Sequence, residues 1–194
     1  MLYKTDPNNI DRSTIQKAVQ ALKSGKLIIF PTETVYGLGC DPKNPRALKK
    51  MFLAKKRSFS KPFQLLIGNL RQTRHIAKKI PKNAEKLIKA SWPGPLTLVV
   101  AKRNSVPDLL TAGLPTVGIR MPDHPVALAL IKAFKSPLAA TSANISGKKA
   151  PKTARQAVKD LKNYVEIVLD GGKTRLGTAS KVVDLSSGKK YLLR

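Results

Sequence analysis

The sequence predicts an α/β fold, a twisted mixed sheet flanked by helices. Short apolar runs such as Leu27-Ile28-Ile29-Phe30 and Leu96-Thr97-Leu98-Val99-Val100 are typical of buried strands. Segments with apolar residues at helical spacing lie between these runs, and such interleaving is typical of α/β domains. The chain has 194 residues, of which 42% are hydrophobic, so we expect one domain with a packed core over residues 1–194.

The first half of the chain is predicted to begin with a helix. Ser13-Thr14-Ile15-Gln16 has the form of a capping box, apolar residues follow at helical spacing, and Gly25 can end the helix. After the strand at 27–30, Asn44-Pro45 is typical of an N-cap with proline in the first turn, and that helix extends to about Ala54. A short strand at 64–67 and two basic helical segments at 71–79 and 83–91 complete this half.

The second half is predicted to contain more strands than helices. Helices are expected at 126–134 and after Thr153, which can cap the segment that carries Ala154, Ala157 and Leu161. Strands are expected at 96–100, 116–120, 138–140, 165–169, 181–185 and 190–193.

The charge indicates anionic partners. Lys plus Arg number 37 against 11 Asp plus Glu, a net charge of +26, and such a field attracts RNA, nucleotides or anionic lipid. A solvated lysine-rich surface is the equally weighted alternative for most of these side chains. Only 5% of residues are aromatic, which argues against a platform for stacking single-stranded bases.

Several classes of protein are disfavoured. The one cysteine, Cys40, excludes an internal disulfide, and with only His75 and His124 a structural zinc site is not expected. No apolar run reaches the ~18–20 residues of a membrane span, and the start lacks the apolar core of a signal peptide, so we expect a cytoplasmic protein without a membrane partner.

Four polar segments follow apolar strands or helices, where α/β proteins bind ligands. They are Pro31 to Gly39, Lys55 to Pro62, Thr116 to Arg120, and Thr141 to Gly147. Together they supply hydroxyls, cations, an arginine suited to a carboxylate or phosphate, and a loop able to form an anion nest. Glu33 is their only carboxylate, so paired-carboxylate glycoside hydrolysis is disfavoured and transfer chemistry at phosphorus is favoured.

These segments resemble the YrdC/TsaC family of threonylcarbamoyl-AMP synthases. The resemblance rests on PTETVYGLG, KKR followed by KPF, SWPGPLTLV, TVGIRMPDHP and ATSANISG, and it extends from about residue 13 to the end. The family's paired elements are here Lys55-x-Arg57 and Ser142-x-Asn144. The length is similar to that of the short, single-domain form.

The resemblance implies a YrdC-like domain whose twisted sheet forms a large, positively charged concave cleft. It implies that L-threonine, bicarbonate or carbon dioxide, and ATP are converted to threonylcarbamoyl-AMP and pyrophosphate. The product would pass to a tRNA threonylcarbamoyl transferase complex. ATP is thus expected as a substrate, with magnesium on its triphosphate and no metal site made by the protein alone.

Matching positions imply the site residues. Those implied in catalysis are Lys55, Arg57, Ser142 and Asn144. Those implied in ATP binding are Arg57, Lys61, Thr116, Ser142, Asn144 and Arg194. Those implied in threonine binding are Thr32, Thr34, Tyr36, Arg120 and Ser180, with Arg120 holding the carboxylate. No residue stands out as a general base.

Departures from the family pattern concern mainly the threonine pocket. Leu66 stands where some members have a histidine, so it cannot hydrogen-bond threonine. Ser58 replaces a frequent proline. The alternative function is a non-catalytic module that binds double-stranded RNA, tRNA or ribosomes, which the charge also suits but which does not need the paired Lys-x-Arg and Ser-x-Asn elements.

Overall fold

The computed structural model describes residues 1–187 and 190–193. Six α-helices lie in these ranges: α1 (Arg12–Lys23), α2 (Pro45–Ala54), α3 (Lys82–Ser91), α4 (Asp108–Thr111), α5 (Pro125–Phe134) and α6 (Ala154–Leu161). A 3-10 helix spans Leu70–His75. Within the same ranges no helix is both long and apolar enough to cross a membrane.

Ten strands form one mixed sheet, as the sequence predicted. They are β1 (Leu2–Lys4), β2 (Leu27–Phe30), β3 (Gly37–Cys40), β4 (Gln64–Leu66), β5 (Leu96–Ala101), β6 (Thr116–Arg120), β7 (Leu138–Ser142), β8 (Val165–Asp170), β9 (Lys181–Asp184) and β10 (Tyr191–Leu192). Their order across the sheet is β1-β8-β2-β3-β7-β4-β6-β5-β9-β10. The pairs β1/β8, β2/β8, β4/β6 and β5/β9 are parallel, and the others are antiparallel.

Helix starts follow local capping chemistry, with one correction. Asn44 caps α2, because its Oδ1 accepts a hydrogen bond from the Ala47 backbone N–H at 3.0 Å. The predicted capping box at residues 13–16 is wrong. Asp11 caps α1 instead, and the backbone N–H groups and hydroxyls of Ser13 and Thr14 donate to its carboxylate.

Helices cover more of one face of the sheet than of the other. On the first face, α2, α4 and α6 pack on a central apolar cluster, and α3 packs on a smaller cluster with β5 and β9. On the second face, α1 and α5 cover β2, β7 and β8. Among the described residues, the one apolar cluster of that second face packs no helix over Gln64 of β4 or over β6, β5 and β9.

Side chains of β5 and β6 alternate between the apolar clusters and the uncovered face, and this alternation determines which residues line the uncovered area. Val117 and Ile119 of β6 point into the central cluster, and Leu96 and Leu98 of β5 point into the smaller one. The intervening residues of both strands therefore point to the uncovered face, since successive side chains of a strand alternate. This area is the floor of the cavity described below.

Four elements depart from the prediction. β1 and α4 were not predicted, and the helix expected at 71–79 is a 3-10 helix that ends at His75. β3 lies where a glycine-rich loop was expected. There the Phe30 ring occupies the space beside Gly37 and Gly39, at 2.9 and 2.8 Å from where a Cβ would stand. Glycine in β3 thus permits close packing rather than a turn.

Candidate functional site

A cavity of about 510 Å³ lies on the uncovered floor of the sheet. Its floor is a row of paired positions, Gln64 beside Gly118 and Gly118 beside Val99, with Thr97 and Thr116 next to them. Its walls are the segment before β3, the end of β7 and the residues before β9. The absence of a side chain at Gly118 leaves the floor low, because a Cβ there would meet Thr97 Cγ2 at 3.2 Å.

Arg120 is the buried cation of this cavity. It ends β6 and is only 3% exposed. Its Nη2 donates to Glu33 Oε1 at 2.7 Å and to Thr34 Oγ1 at 2.9 Å, and its Nε donates to the Gly94 carbonyl oxygen at 3.2 Å. These bonds hold the guanidinium plane, so the cavity has a preorganised donor for a carboxylate or phosphate.

Glu33 fixes Arg120 from behind. Its second carboxylate oxygen accepts from the Asp123 backbone N–H at 3.1 Å, and its own carbonyl oxygen accepts from the Leu176 N–H at 2.8 Å. Glu33 is 1% exposed, and a buried carboxylate requires such partners. In the sequence Glu33 stands out only as the one carboxylate of the four polar segments, and this role was not predicted.

Hydroxyls surround the Arg120 end of the cavity. Thr34 lines the cavity, and its Oγ1 lies 2.7 Å from that of Thr32, which also donates to the Val35 carbonyl oxygen. On the opposite wall, Ser180 Oγ lies 2.9 Å from Thr97 Oγ1, which donates to Gln64 Oε1. Thr97 and Gln64 were not predicted as site residues. Their alternation with core residues in β5 and β4 is the signal that could have identified them.

Arg57, Thr116 and Ser142 line the other part of the cavity. Arg57 follows α2, and its guanidinium donates to the Lys61 and Pro62 carbonyl oxygens at 3.1 and 2.9 Å. The same group lies over the Phe63 ring, 5.3 Å from its centroid. These contacts hold the segment from 57 to 63 as a compact turn that presents a cation to the cavity.

Lys55 lies behind the cavity wall rather than in it. The side chain is 1% exposed, and its Nζ donates to the Ser142 and Asn144 carbonyl oxygens at 2.6 and 2.7 Å. It also donates to Asn144 Oδ1 at 3.3 Å. Burial, and then the nearby Arg57 charge, lower the pKa of Lys55 to about 7. Lys55 thus ties the end of α2 to the loop after β7.

The Asn144 amide completes that connection. It is 7% exposed, and its Nδ2 donates to the Lys148 carbonyl oxygen. Two side chains therefore hold the loop. The Lys55 ammonium donates to its carbonyl oxygens, and the side-chain amide of Asn144 donates to the Lys148 carbonyl oxygen. Lys55 and Asn144 are brought together as predicted, but neither lines the cavity.

Other implied residues lie away from the cavity lining. Tyr36 is fully buried, and its hydroxyl donates to Asp170 Oδ1 and the Gly172 carbonyl oxygen at 3.1 and 2.7 Å. Burial, and then the Asp170 carboxylate, raise the Tyr36 pKa well above its usual value. Thr32 and Lys61 do not line the cavity either, and Leu66 belongs to the apolar cluster under α1 and α5. Arg194 lies outside the described residues.

Carboxylates are sparse around the cavity. Glu33 is paired with Arg120, and Asp184 lines the cavity at β9, where its Oδ1 accepts from the Ser186 N–H. Over residues 1–187 and 190–193, no group of three or more histidine, cysteine, aspartate or glutamate side chains is placed to hold a metal ion. Two guanidinium groups therefore dominate the chemistry of the lining, and they suit anionic substrates.

Comparison with known proteins relates the chain to one family. The family model Sua5/YciO/YrdC, described as "Telomere recombination", matches residues 20–194. A protein of Pyrococcus abyssi named threonylcarbamoyl-AMP synthase is 45% identical over 185 residues, covering 95% of this chain and 54% of the relative. One of Vibrio cholerae with the same name is 37% identical over 175 residues, covering 89% of this chain and 93% of the relative.

A solved structure shares the fold. The crystal structure of Pyrococcus abyssi Sua5 complexed with L-threonine has a TM-score of 0.97 and 43% identity, covering 100% of this chain and 57% of that one. The chain thus spans about half the length of the Pyrococcus abyssi relative.

Proposed function

Because the chain belongs to the Sua5/YciO/YrdC family, we propose that it forms threonylcarbamoyl-AMP and pyrophosphate from L-threonine, bicarbonate or carbon dioxide, and ATP. The observation that carries this proposal is the buried Arg120 guanidinium, which faces a cavity whose other part presents Arg57. The names of the relatives and the L-threonine in the related crystal structure support the proposal. It extends over residues 1–194 as one YrdC-like domain.

Threonine binds at the Arg120 end in this proposal. Its carboxylate accepts from the Arg120 guanidinium, a rigid fork of five N–H donors of which three bond to Glu33, Thr34 and Gly94. Thr34 and Ser180 supply hydroxyls on opposite walls for the amine and the side-chain hydroxyl. Tyr36 and Thr32 support the wall from behind, since Thr32 contacts Thr34 and the Tyr36 hydroxyl bonds to Asp170 and Gly172.

ATP binds at the end with Arg57, Thr116 and Ser142. The threonine amine adds to carbon dioxide and loses a proton, which gives a carbamate. A carbamate oxygen then forms a bond to the α-phosphorus, the bond from that phosphorus to the pyrophosphate oxygen breaks, and pyrophosphate leaves with the electron pair. Two anions must approach each other, so Arg57 lowers the barrier by balancing charge.

Lys55, Asn144, Lys61 and Arg194 have supporting roles in the proposal. Lys55 and Asn144 position the Ser142 loop through the bonds described above, while Lys61 and Arg194 add cations near the phosphates. Magnesium would be held mainly by the triphosphate oxygens and would neutralise their charge. The chain would act in the cytoplasm and pass its product to a tRNA threonylcarbamoyl transferase complex.

The test is pyrophosphate release measured with each substrate omitted in turn. We expect release only when L-threonine, bicarbonate, ATP and magnesium are all present. Arg57→Ala and Ser142→Ala should each lower turnover by about tenfold or more, which is the loss of one transition-state hydrogen bond or charge. Arg155→Ala, an exposed cation on α6, is the matched control and should retain full turnover.

Binding of ATP without threonine-dependent turnover would contradict the proposal and would leave the non-catalytic RNA-binding module as the alternative. Unchanged turnover in both Arg57→Ala and Ser142→Ala would contradict the assignment of the site while leaving the activity intact.

A further inference from the structure

Gln64 of β4 is a polar side chain on the cavity floor to which the proposed reaction gives no role. It lines the cavity, whereas Leu66, two residues along the same strand, lies in the apolar cluster under α1 and α5. Its Oε1 accepts a hydrogen bond from Thr97 Oγ1 at 2.9 Å. Among residues 1–187 and 190–193, its Nε2 donates to no partner. The floor therefore holds an amide whose N–H groups are available to a ligand.

Gly118 allows Gln64 to reach Thr97. β6 lies between β4 and β5, so the two side chains belong to strands that do not pair with each other. Gly118 pairs with Gln64, and a Cβ at Gly118 would stand 3.2 Å from Thr97 Cγ2 and 3.4 Å from Gln64 Cβ. Neighbouring strands are about 4.8 Å apart, so a side chain on β6 would separate the two residues. The glycine thus permits one hydrogen bond to span β6.

The hydrogen bonds of this network have a fixed direction. A carbonyl oxygen such as Gln64 Oε1 only accepts, so Thr97 gives its hydroxyl hydrogen to Gln64. The Thr97 oxygen lies 2.9 Å from Ser180 Oγ and, since its own hydrogen is committed, it accepts the hydrogen of Ser180. Thr97 and Ser180 are 2% and 3% exposed, and buried hydroxyls require such partners. Ser180 Oγ consequently accepts, and does not donate, any hydrogen bond with a group in the cavity.

The network lies beside Arg120, which holds the threonine carboxylate in the proposed reaction. Gly118 and Arg120 are two residues apart on β6 and both line the cavity, so their Cα atoms are about 7 Å apart. The antiparallel register of β5 with β6 places Thr97 next to Arg120. An amino acid held by its carboxylate therefore has its side chain within reach of Gln64 and Ser180.

We infer that Gln64 determines the preference for an amino acid with a side-chain hydroxyl, a specificity that rests on the proposed function. The substrate hydroxyl accepts a hydrogen bond from Gln64 Nε2 and donates its hydrogen to Ser180 Oγ. A hydroxyl does both at once, whereas the corresponding methyl group of valine does neither. Thr97 is a positioning residue, because it holds the amide oxygen of Gln64 and keeps Ser180 as an acceptor.

This network gives stronger discrimination than an apolar pocket would. An apolar pocket distinguishes side chains that differ by one methylene by only about 10- to 200-fold, whereas a site built to hydrogen-bond a hydroxyl rejects the analogue that lacks it by about 10⁴-fold or more. Valine would fill the same space without accepting from Gln64, beside hydroxyls that are almost fully buried. We therefore expect threonine to bind on the order of 100-fold or more tightly than valine.

The test is isothermal titration calorimetry with L-threonine and L-serine, and with L-valine as a competitor of threonine. Gln64→Met keeps the length of the side chain and removes its N–H donors. In this variant the affinities for threonine and serine should fall on the order of 10- to 100-fold, while the affinity for valine should change little. ATP affinity should also be unchanged, because the proposal places ATP at Arg57, Thr116 and Ser142.

Two further variants separate recognition from packing. Thr97→Val keeps the shape of the side chain and removes its hydroxyl, so the preference for threonine over valine should fall by about three- to tenfold. Combined with Gln64→Met it should add little, because both changes break one network. Gln20→Met, at an exposed position of α1, is the matched control and should leave every affinity unchanged.

Three results would overturn the inference. Threonine and valine affinities that fall by the same factor in Gln64→Met would show that Gln64 only shapes the floor. An unchanged threonine affinity would show that other groups recognise the hydroxyl. Absence of threonine binding in the unmodified chain would contradict the proposed function and this inference with it, whereas threonine binding without pyrophosphate release would contradict the proposed reaction alone.

Discussion

Arg120 is a buried guanidinium that already has one carboxylate partner, Glu33, before any substrate is considered. In water such a pair contributes little, but removal of one member of a buried pair leaves an uncompensated charge. Glu33 therefore compensates the buried charge of Arg120. The planar guanidinium of Arg120 has further N–H donors, which suit a second anion.

Replacement of Arg120 by lysine tests this use of the fork. Arg120→Lys keeps the positive charge but cannot donate two parallel hydrogen bonds, so we expect the threonine KM to rise by about tenfold or more. The ATP KM should change little, because Arg57, Thr116 and Ser142 bind ATP in the proposal. Steady-state kinetics with each substrate varied separately makes the measurement, and an equal rise in both values would contradict the assignment.

Lys55 gives a prediction about pH. The unfolded chain holds the Lys55 proton up to about pH 10.5, whereas the folded chain releases it near pH 7. Between these values the unfolded state binds more protons, so the free energy of unfolding rises with pH by at most about 1.4 kcal/mol per unit. The contribution of Lys55 deprotonation to the free energy of unfolding is therefore fully present above about pH 10.5. It decreases as the pH falls and is lost at about pH 7.

Urea unfolding from about pH 6.5 to 9.5 checks this against Lys55→Met. The variant lacks the titrating group, so its stability relative to the unmodified chain should fall as pH rises. Lys49→Met, at an exposed position of α2, is the control and should show no such trend. A constant difference for Lys55→Met would mean that Lys55 keeps its proton throughout this range.

The sequence predicted the chemical character of site residues better than their placement. Thr34, Arg120 and Ser180 do meet at one cavity, as their matching motif positions implied. Tyr36 and Lys55 were expected at the ligand, yet both are buried and bonded to the backbone that shapes the site. A motif records which residue stands at a position, but the side to which it points depends on strand pairing and loop packing.

At the scale of elements, α2 connects the interior to the site. It begins at the Asn44 cap and ends beside Lys55, whose Nζ holds the Ser142 loop. Its buried residues, which include Leu48, Met51 and Phe52, pack in the central cluster. The position of the loop thus depends on a helix whose apolar face is already fixed.

Asn44→Ala tests the start of this helix. The change removes the hydrogen bond to the Ala47 N–H and should lower the free energy of unfolding by about 1 kcal/mol. Lys49→Ala, an exposed change in the same helix to a good helix former, should have little effect or a small stabilising one. Urea unfolding of the two variants makes the comparison, and equal stabilities would show that the cap contributes nothing.

Elements with strong local signals were predicted well. Asn44-Pro45 fixed the start of α2, and the apolar alternation at 116–120 identified β6 with its true bounds. β3 was missed because Gly37 and Gly39 are typical of turns, and only the approach of Phe30 explains them. The α1 cap was assigned to Ser13 because residues 13–16 match a capping box, but Asp11, two residues earlier, accepts from the Ser13 and Thr14 N–H groups and starts the helix sooner.

At the scale of the whole molecule, the order of the strands could not be read from the chain. β3 pairs with β7 across about 100 residues, and β2 pairs with β8 across about 140 residues. Such pairings depend on the apolar clusters on the two faces rather than on local sequence. Interleaved strands and helices predicted a mixed sheet, but not that α1 and α5 would cover only part of one face.

The excess charge affects stability as well as partners. Thirty-seven cations face 11 carboxylates, and the described residues form five ion pairs. Repulsion among the remaining cations favours the expanded chain, and salt screens it within a Debye length of about 10 Å at 0.1 M. We therefore expect the melting temperature to rise with sodium chloride, by about 2–4 °C for each kcal/mol gained.

Differential scanning calorimetry from about 0.01 to 0.5 M sodium chloride measures this effect. The variant with Lys4→Gln, Lys23→Gln and Lys162→Gln has three fewer cations and should show a smaller rise. A melting temperature that falls with salt in the unmodified chain would mean that favourable ion pairs outweigh the repulsion.

The half-covered sheet face separates the residues that hold the fold from those that contact a ligand. Gln64, Thr97, Val99 and Gly118 lie on the floor, while their neighbours along the same strands belong to the apolar clusters. A substitution on the floor alters the shape of the cavity and leaves those clusters intact. The floor is therefore the part of this domain where a new substrate preference can arise, by evolution or by engineering, at the least expense to folding.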